Sequence, residues 1–190
     1  MKPSLTDRLC TRCGLCCDGS LFADVELAGR AEATRLEIMG LEIEDDDTNG
    51  ALLSQPCRAL RGKRCGIYAY RPECCRTFEC RLLRDVRRGT VGVERAGERI
   101  AEARKRIGRV RALLARGGRC DGRLPLGESC AGALARDASP VPQVNRRRAG
   151  LEAAMSAVEE SLRGTFLDGG GRPHAHRATG GDESSRRGSP

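Results

Sequence analysis

Tryptophan is absent from this 190-residue chain, and three phenylalanines and two tyrosines are its only aromatic residues. A core built from such a sequence must rely on Leu, Ile, Val and Ala, which suits small helices better than a β-sandwich. So lean a core gains from cross-linking by metal or disulfide. Histidine is nearly missing too. The two present, His174 and His176, fall in a polar tail, which removes a histidine general base from the core and makes the HAH segment incidental. There is no Ser/His/Asp arrangement, no phosphate-binding loop, no pair of carboxylates in a persuasive context and no repeat of solenoid length. No apolar run approaches the roughly 20 residues of a membrane span, so no membrane partner is expected. The opening segment MKPSLTDRLC lacks the apolar stretch of a secretory leader. The expectation is a cytoplasmic protein, in which thiols stay reduced and clustered cysteines serve metal or redox chemistry.

Cysteine and arginine are what the chain has in excess. The 11 cysteines are an odd number, a poor fit to a pure disulfide framework. The formal charge of +8 is uneven. Residues 1–56 carry 5 basic and 11 acidic side chains, residues 57–118 carry 18 and 6, and residues 119–190 carry 11 and 9. The basic middle therefore coincides with the second of two cysteine-rich stretches, where thiolates give positive charge a local use. A nucleic-acid reading of the segment EARKRIGRVRALLAR is weaker. Arg99, Arg106 and Arg109 fill the polar side of an amphipathic helix, and no aromatic stacking platform accompanies them.

Apolar spacing predicts a helix over residues 26–40, with Leu27, Ala31, Ile38 and Leu41 near one stripe and Gly40 as its stop. Residues 42–50 read as an acidic loop, and RLLRDVRRG as a short helix ended by Gly89. The clearest helix is residues 97–118, where Ile100, Ala103, Ile107, Val110 and Leu114 recur at three and four and Gly117–Gly118 closes it. Another covers residues 151–167, with Leu151, Met155, Val158, Leu162 and Phe166 on one side. A Pro/Gly/Arg connection joins the two, and residues 169–190 have the composition of a disordered tail. The fold class is mainly α: a small irregular cysteine-rich metal-binding region over residues 1–90, with helices of residues 91–168 packed on it.

Nine cysteines fall within the 71 residues from Cys10 to Cys80. The first group, CTRCGLCC, holds Cys10, Cys13, Cys16 and Cys17; the second holds Cys57, Cys65, Cys74, Cys75 and Cys80. C-x-x-C spacing brings two sulfurs to one metal within one turn, as in four-cysteine zinc sites. Cys10, Cys13 and Cys16 also match the first three ligands of a ferredoxin run, but Ser20 stands where the fourth belongs. Neighbouring side chains diverge, so Cys16 and Cys17 suit two metals, or one polynuclear cluster, better than one small ion. Cys75 and Cys80 would point about 140° apart on an unbroken helix, so either the helix breaks between them or they face different centres.

Two motifs in order, C-x-x-C-x-x-C-C and then C-x7-C-x-I-Y-x-x-R-P-x-x-C-R-x-F-x-C, resemble the cysteine-cluster family of domains that chelate zinc or iron. The matching residues are Cys10, Cys13, Cys16, Cys17, Cys57, Cys65, Ile67, Tyr68, Arg71, Pro72, Cys75, Arg76, Phe78 and Cys80, within roughly residues 8–85. The resemblance implies metal ligation by the eight matching cysteines. Cys74 lies beside the pattern, and Cys120 and Cys130 lie outside it, as small buried hydrophobes or incidental thiols. Arg71 and Arg76 either offset thiolate charge or pair with Glu73 and Glu79; Pro72 sets a turn or takes the first position of a helix; Tyr68 and Phe78 are core candidates. An iron–sulfur cluster is favoured by the crowding, with zinc as the alternative, since both accept thiolate. The expected function is a metal-binding protein whose metal is structural or transfers electrons. The alternatives are an enzyme modifying another protein, because a flagellin lysine N-methylase carries a similar domain, and a zinc module binding nucleic acid. A protein partner remains open.

Overall fold

The computed structural model describes residues 4–45, 50–118, 122–136 and 142–168. The predicted tail of residues 169–190, its two histidines and Cys120 lie outside the described residues.

Ser4 starts helix α1 (Leu5–Cys13). Its hydroxyl accepts the Asp7 N–H at 3.1 Å and the Asp7 carboxylate accepts the Ser4 N–H at 3.1 Å, so two otherwise orphaned donors are satisfied reciprocally. Gly14 ends the helix at φ 70°, where a Cβ would stand 3.3 Å from the Lys63 backbone. Only glycine fits that conformation and that closeness, and the chain turns there from Cys13 into Leu15–Cys17.

Three short strands follow: β1 (Asp24–Glu26), β2 (Ile43–Asp45) and β3 (Ala51–Ser54), antiparallel in the order β1-β3-β2. Val25 and Ile43 both sit opposite Leu53, which is 2% exposed. Helix α2 (Arg30–Ile38) lies on this sheet. The predicted helix over residues 26–40 is thus shorter, and its stripe was misplaced. Ala33 and Leu36 are buried, Ile38 is 83% exposed, and Leu27 and Leu41 are buried from positions outside the helix. Sheet pairing of Val25 and Glu26 overrides the helical spacing there. Part of the predicted acidic loop is strand β2 for the same reason; residues 46–49 lie outside the described residues.

Strands β4 (Leu60–Arg61) and β5 (Arg64–Cys65) form a hairpin, followed by a single 3-10 turn at Tyr68–Tyr70. Helix α3 (Glu73–Thr77) stops at Phe78, and helix α4 (Arg81–Arg87) begins after Cys80, with Gly89 beyond it as predicted. The helix therefore does break between Cys75 and Cys80.

Helix α5 (Val93–Arg116) is the centre of the molecule and touches α1, α4, α6 (Leu126–Arg136) and α7 (Pro142–Thr165). The predicted stripe of Ile100, Ala103, Ile107, Val110 and Leu114 is buried in full. Helix α6 falls in the segment read as a connection, where Gly127 and Gly132 mask a pattern whose buried face is Leu126, Ser129, Cys130 and Ala133. Helix α7 starts nine residues before the predicted position, because Pro142 occupies its first position, where no backbone donor is needed.

Two apolar cores result. The larger joins Leu9, Leu15, Leu21 and Phe22 to Leu82, Leu83 and the buried faces of α5, α6 and α7. The smaller joins Leu27, Ala33, Leu36, Leu41, Ala51, Leu53, Cys57 and Ala59. Replacing Ile107, 2% exposed in the larger core, by Ala should lower unfolding free energy by about 2–5 kcal/mol in denaturant titration. A loss below about 1 kcal/mol would show that this helix face is not core.

Candidate metal centre

Six of the eight matching cysteines lie on the two cores: Cys10, Cys13, Cys16 and Cys80 border the larger one, and Cys17 and Cys57 belong to the smaller one, on which the unmatched Cys74 also packs. Electrostatic neighbours give the same division. Cys16 faces Cys13, Cys80 and Cys10 besides adjoining Cys17. Cys17 faces Cys57 and Cys65, and Cys75 faces Cys17 and Cys57. The first set is then Cys10, Cys13, Cys16 and Cys80, and the second is Cys17, Cys57, Cys65 and Cys75. The boundary between them is the Cys16–Cys17 peptide bond.

Local structure explains each placement. Cys10 and Cys13 are three apart near the end of α1, so they share a helix face. The turn opened by Gly14 brings Cys16 back beside them, and the Asp18 N–H closes it on the Gly14 carbonyl at 3.1 Å. The Cys57 N–H donates to the Cys17 carbonyl at 2.9 Å, which fixes these two residues of the second set together. Hairpin β4–β5 delivers Cys65. Phe78 meets Phe22 edge-on with ring centroids 5.0 Å apart, so the break between α3 and α4 is held against the first cysteine loop. That anchors Cys80 near Cys10 and Cys13. Phe78 thus borders the core as expected, whereas Tyr68 is half-buried and uses its hydroxyl to donate to Asp7 at 3.0 Å.

Cations converge on the cysteine turn. Arg104 of α5 donates to the Cys13 carbonyl at 2.5 Å, and Arg111 donates to the Asp18 carbonyl at 2.9 Å and to Ser20 at 3.1 Å. Both approach the buried Asp18 carboxylate, at 3.9 and 3.3 Å. Arg99 and Arg109 do lie on the exposed face of α5, but Arg104 and Arg111 grip the loop, a role that spacing alone did not reveal. Arg71 stacks 3.7 Å above the Tyr68 ring and donates to the carbonyls of Tyr68 (3.1 Å) and Cys75 (3.3 Å). Its charge favours ionisation of both Cys10 and Cys17, so one guanidinium serves both sets. Arg76 is exposed, and Glu79 pairs with Arg87 at 2.6 Å rather than with Arg76.

Burial dominates the thiol chemistry. It pushes Cys10 up to about 11 and Cys13 and Cys17 up to about 12, with neighbouring thiols adding to the rise. Cys16 is raised well above an ordinary thiol, again chiefly by burial. Burial also raises Cys57 and Cys80, opposed by the amides of Ala59 and Leu60 at the first and of Leu83 and Leu82 at the second. Cys74 and Cys75 lie 4.0 Å apart and share one hydrogen bond. That bond lowers the Cys74 thiol and, with burial, raises Cys75, the two titrating as a pair. Cys130 is buried in α6, away from both sets, as a small hydrophobe.

Four thiols without competing histidine make a donor set for a soft-ligand metal, zinc or iron–sulfur. Among the described residues, no three Cys, His, Asp or Glu side chains converge closely enough to hold one ion as they stand. The fold therefore supplies the neighbourhoods, and the side chains must close in to reach metal–sulfur bonds of about 2.3 Å.

Such a cysteine-rich helical domain, with its thiols gathered between two small cores, belongs to the class of metal-chelating domains. Residues 9–104 match the CxxCxxCC family, described as "Putative zinc- or iron-chelating domain", and the chain belongs to that family. No curated protein and no solved structure matches the chain. Among the described residues, no helix is long and apolar enough to cross a membrane.

Burial raises the Cys10, Cys13, Cys16, Cys17, Cys57 and Cys80 thiols, and a metal binds thiolate, so its uptake must expel protons. Zinc binding at pH 7 should release about four protons for each four-thiol set filled, and apparent affinity should rise with pH. Calorimetry in buffers of different ionisation enthalpy measures this; release of fewer than about two protons per ion would contradict four-thiol ligation.

Proposed function

We propose that the protein holds two all-thiolate metal centres, one on Cys10, Cys13, Cys16 and Cys80 and the other on Cys17, Cys57, Cys65 and Cys75. The placement of six thiols on two cores, with Cys65 facing Cys17 and Cys75 facing Cys17 and Cys57, is the observation that carries this reading. A centre with four protein sulfurs keeps no position open for substrate, which is the pattern of structural zinc and of electron-transferring iron–sulfur clusters rather than of catalytic zinc. The metal then cross-links distant segments. The first set ties α1 to the start of α4, and the second ties the cysteine turn to hairpin β4–β5 and α3. A bound metal would supply cross-linking or electrons; the protein supplies burial and the neighbouring cations Arg71, Arg84 and Arg61.

The test is metal and sulfide analysis of anaerobically purified protein, with two variants. Wild type should carry two centres: two ions without sulfide for zinc, or iron with matching labile sulfide for clusters. Cys75→Ser should lose one centre, and Cys74→Ser should keep both. Full loading of Cys75→Ser with depletion of Cys74→Ser would shift the ligand assignment by one residue.

A further inference from the structure

Glu32 is a charged residue only 8% exposed, and none of the cysteine motifs includes it. Both its carboxylate oxygens are used. Oε2 accepts the Ala28 N–H at 3.0 Å, just before its own helix α2, and Oε1 accepts the Glu73 N–H at 2.9 Å. Glu73 is the first residue of α3, the helix that carries Cys74 and Cys75. The residue before it, Pro72, has no side-chain acceptor with which to cap that helix, so the cap comes from 41 residues earlier. Arg35 adds an ion pair at 3.5 Å from solvent.

A five-residue helix does not sustain itself. Its own turn rests on Arg76 N–H to the Pro72 carbonyl and Phe78 N–H to the Cys74 carbonyl, at 3.1 and 3.0 Å. The Thr77 hydroxyl adds a bond to the Glu73 carbonyl at 2.9 Å, and external hold comes from Glu32 at the first residue, Arg71 on the Cys75 carbonyl and the packing of Cys74 on the smaller core. Glu32 can act as an anchor because its neighbours Ala33 and Leu36 are 0% exposed in the smaller core, which fixes α2 on the sheet.

We infer that Glu32 is a positioning residue of the second thiol set, fixing α3 and thereby the direction of Cys75. The inference rests on the two-centre reading above. Removing the carboxylate frees two backbone donors and lets the short helix turn, so Cys75 no longer meets Cys17 and Cys57. The first set is held separately, Cys10, Cys13 and Cys16 by α1 and its turn and Cys80 by the packing of Phe78 on Phe22, none of which Glu32 touches.

The experiment is competitive titration of the full chain with cobalt(II) against a chromophoric chelator, following thiolate-to-metal absorption. Wild type is titrated first. Glu32→Ala and Glu32→Gln are then introduced into Cys13→Ser/Cys16→Ser, which reports the second set, and into Cys17→Ser/Cys57→Ser, which reports the first. Glu32→Ala should weaken the second set about 10–100-fold, the usual scale for loss of a residue supporting a metal ligand, and the first by less than about threefold. Glu32→Gln keeps one acceptor oxygen and should lose less. Equal weakening of both sets, with a lowered melting temperature, would make Glu32 a general structural residue and overturn the assignment, as would an unchanged second set. A wild-type chain that takes up no cobalt would overturn the two-centre reading itself, and the assignment with it.

Discussion

Cys16 and Cys17 are joined by one peptide bond, and their side chains face different cores. That constraint organises the molecule. One thiol faces the helical core of α5, α6 and α7, and the other faces the small sheet with α2. Every later cysteine of the pattern joins one side or the other: Cys80 the first, and Cys57, Cys65 and Cys75 the second. Helix α5 keeps the divide in register, since Arg104 and Arg111 hold the loop on both sides of it, at Cys13, Asp18 and Ser20. Asp18 is buried between them, so the two guanidiniums offset a carboxylate that would otherwise be costly to bury.

The same arrangement gives part of the positive charge near residues 57–118 a local use, at Arg61, Arg71 and Arg84. Thiols crowded in a dry environment resist ionisation, and each thiolate formed raises the cost of the next. Arg71, held by stacking on Tyr68 and by two backbone carbonyls, is fixed where it meets both sets. Tyr68 in turn reaches Asp7, the residue that caps α1. A chain of contacts therefore runs from the helix bearing Cys10 and Cys13 to the helix bearing Cys75, and it uses residues of the Y-x-x-R-P segment that composition alone would assign to core or surface.

Much of this was legible in the sequence, for physical reasons that can be named. The α5 stripe was readable because a 24-residue helix repeats its period several times. Helix geometry left Cys75 and Cys80 either across a break or on different centres, and α3 and α4 show the break. The strands were not readable, since three or four residues carry too little alternation to show a period. Helix α6 was hidden by two glycines, and α2 was drawn too long because Leu27 and Leu41 happen to fall at helical spacing while being buried from the flanks. The sorting of cysteines into two sets was beyond the sequence, because it depends on Phe22 meeting Phe78 and on Cys57 bonding to Cys17. Glu32 carried no signal at all, since its partner on α3 lies 41 residues away.

The account stands on the partition of eight thiols, and the most direct measurement is the metal content of paired serine variants. Cys10→Ser/Cys80→Ser removes two thiols from one set, and Cys10→Ser/Cys57→Ser removes one from each. The partition requires the first pair to retain half of the wild-type metal and the second to retain almost none. Equal metal loss in the two pairs would contradict it.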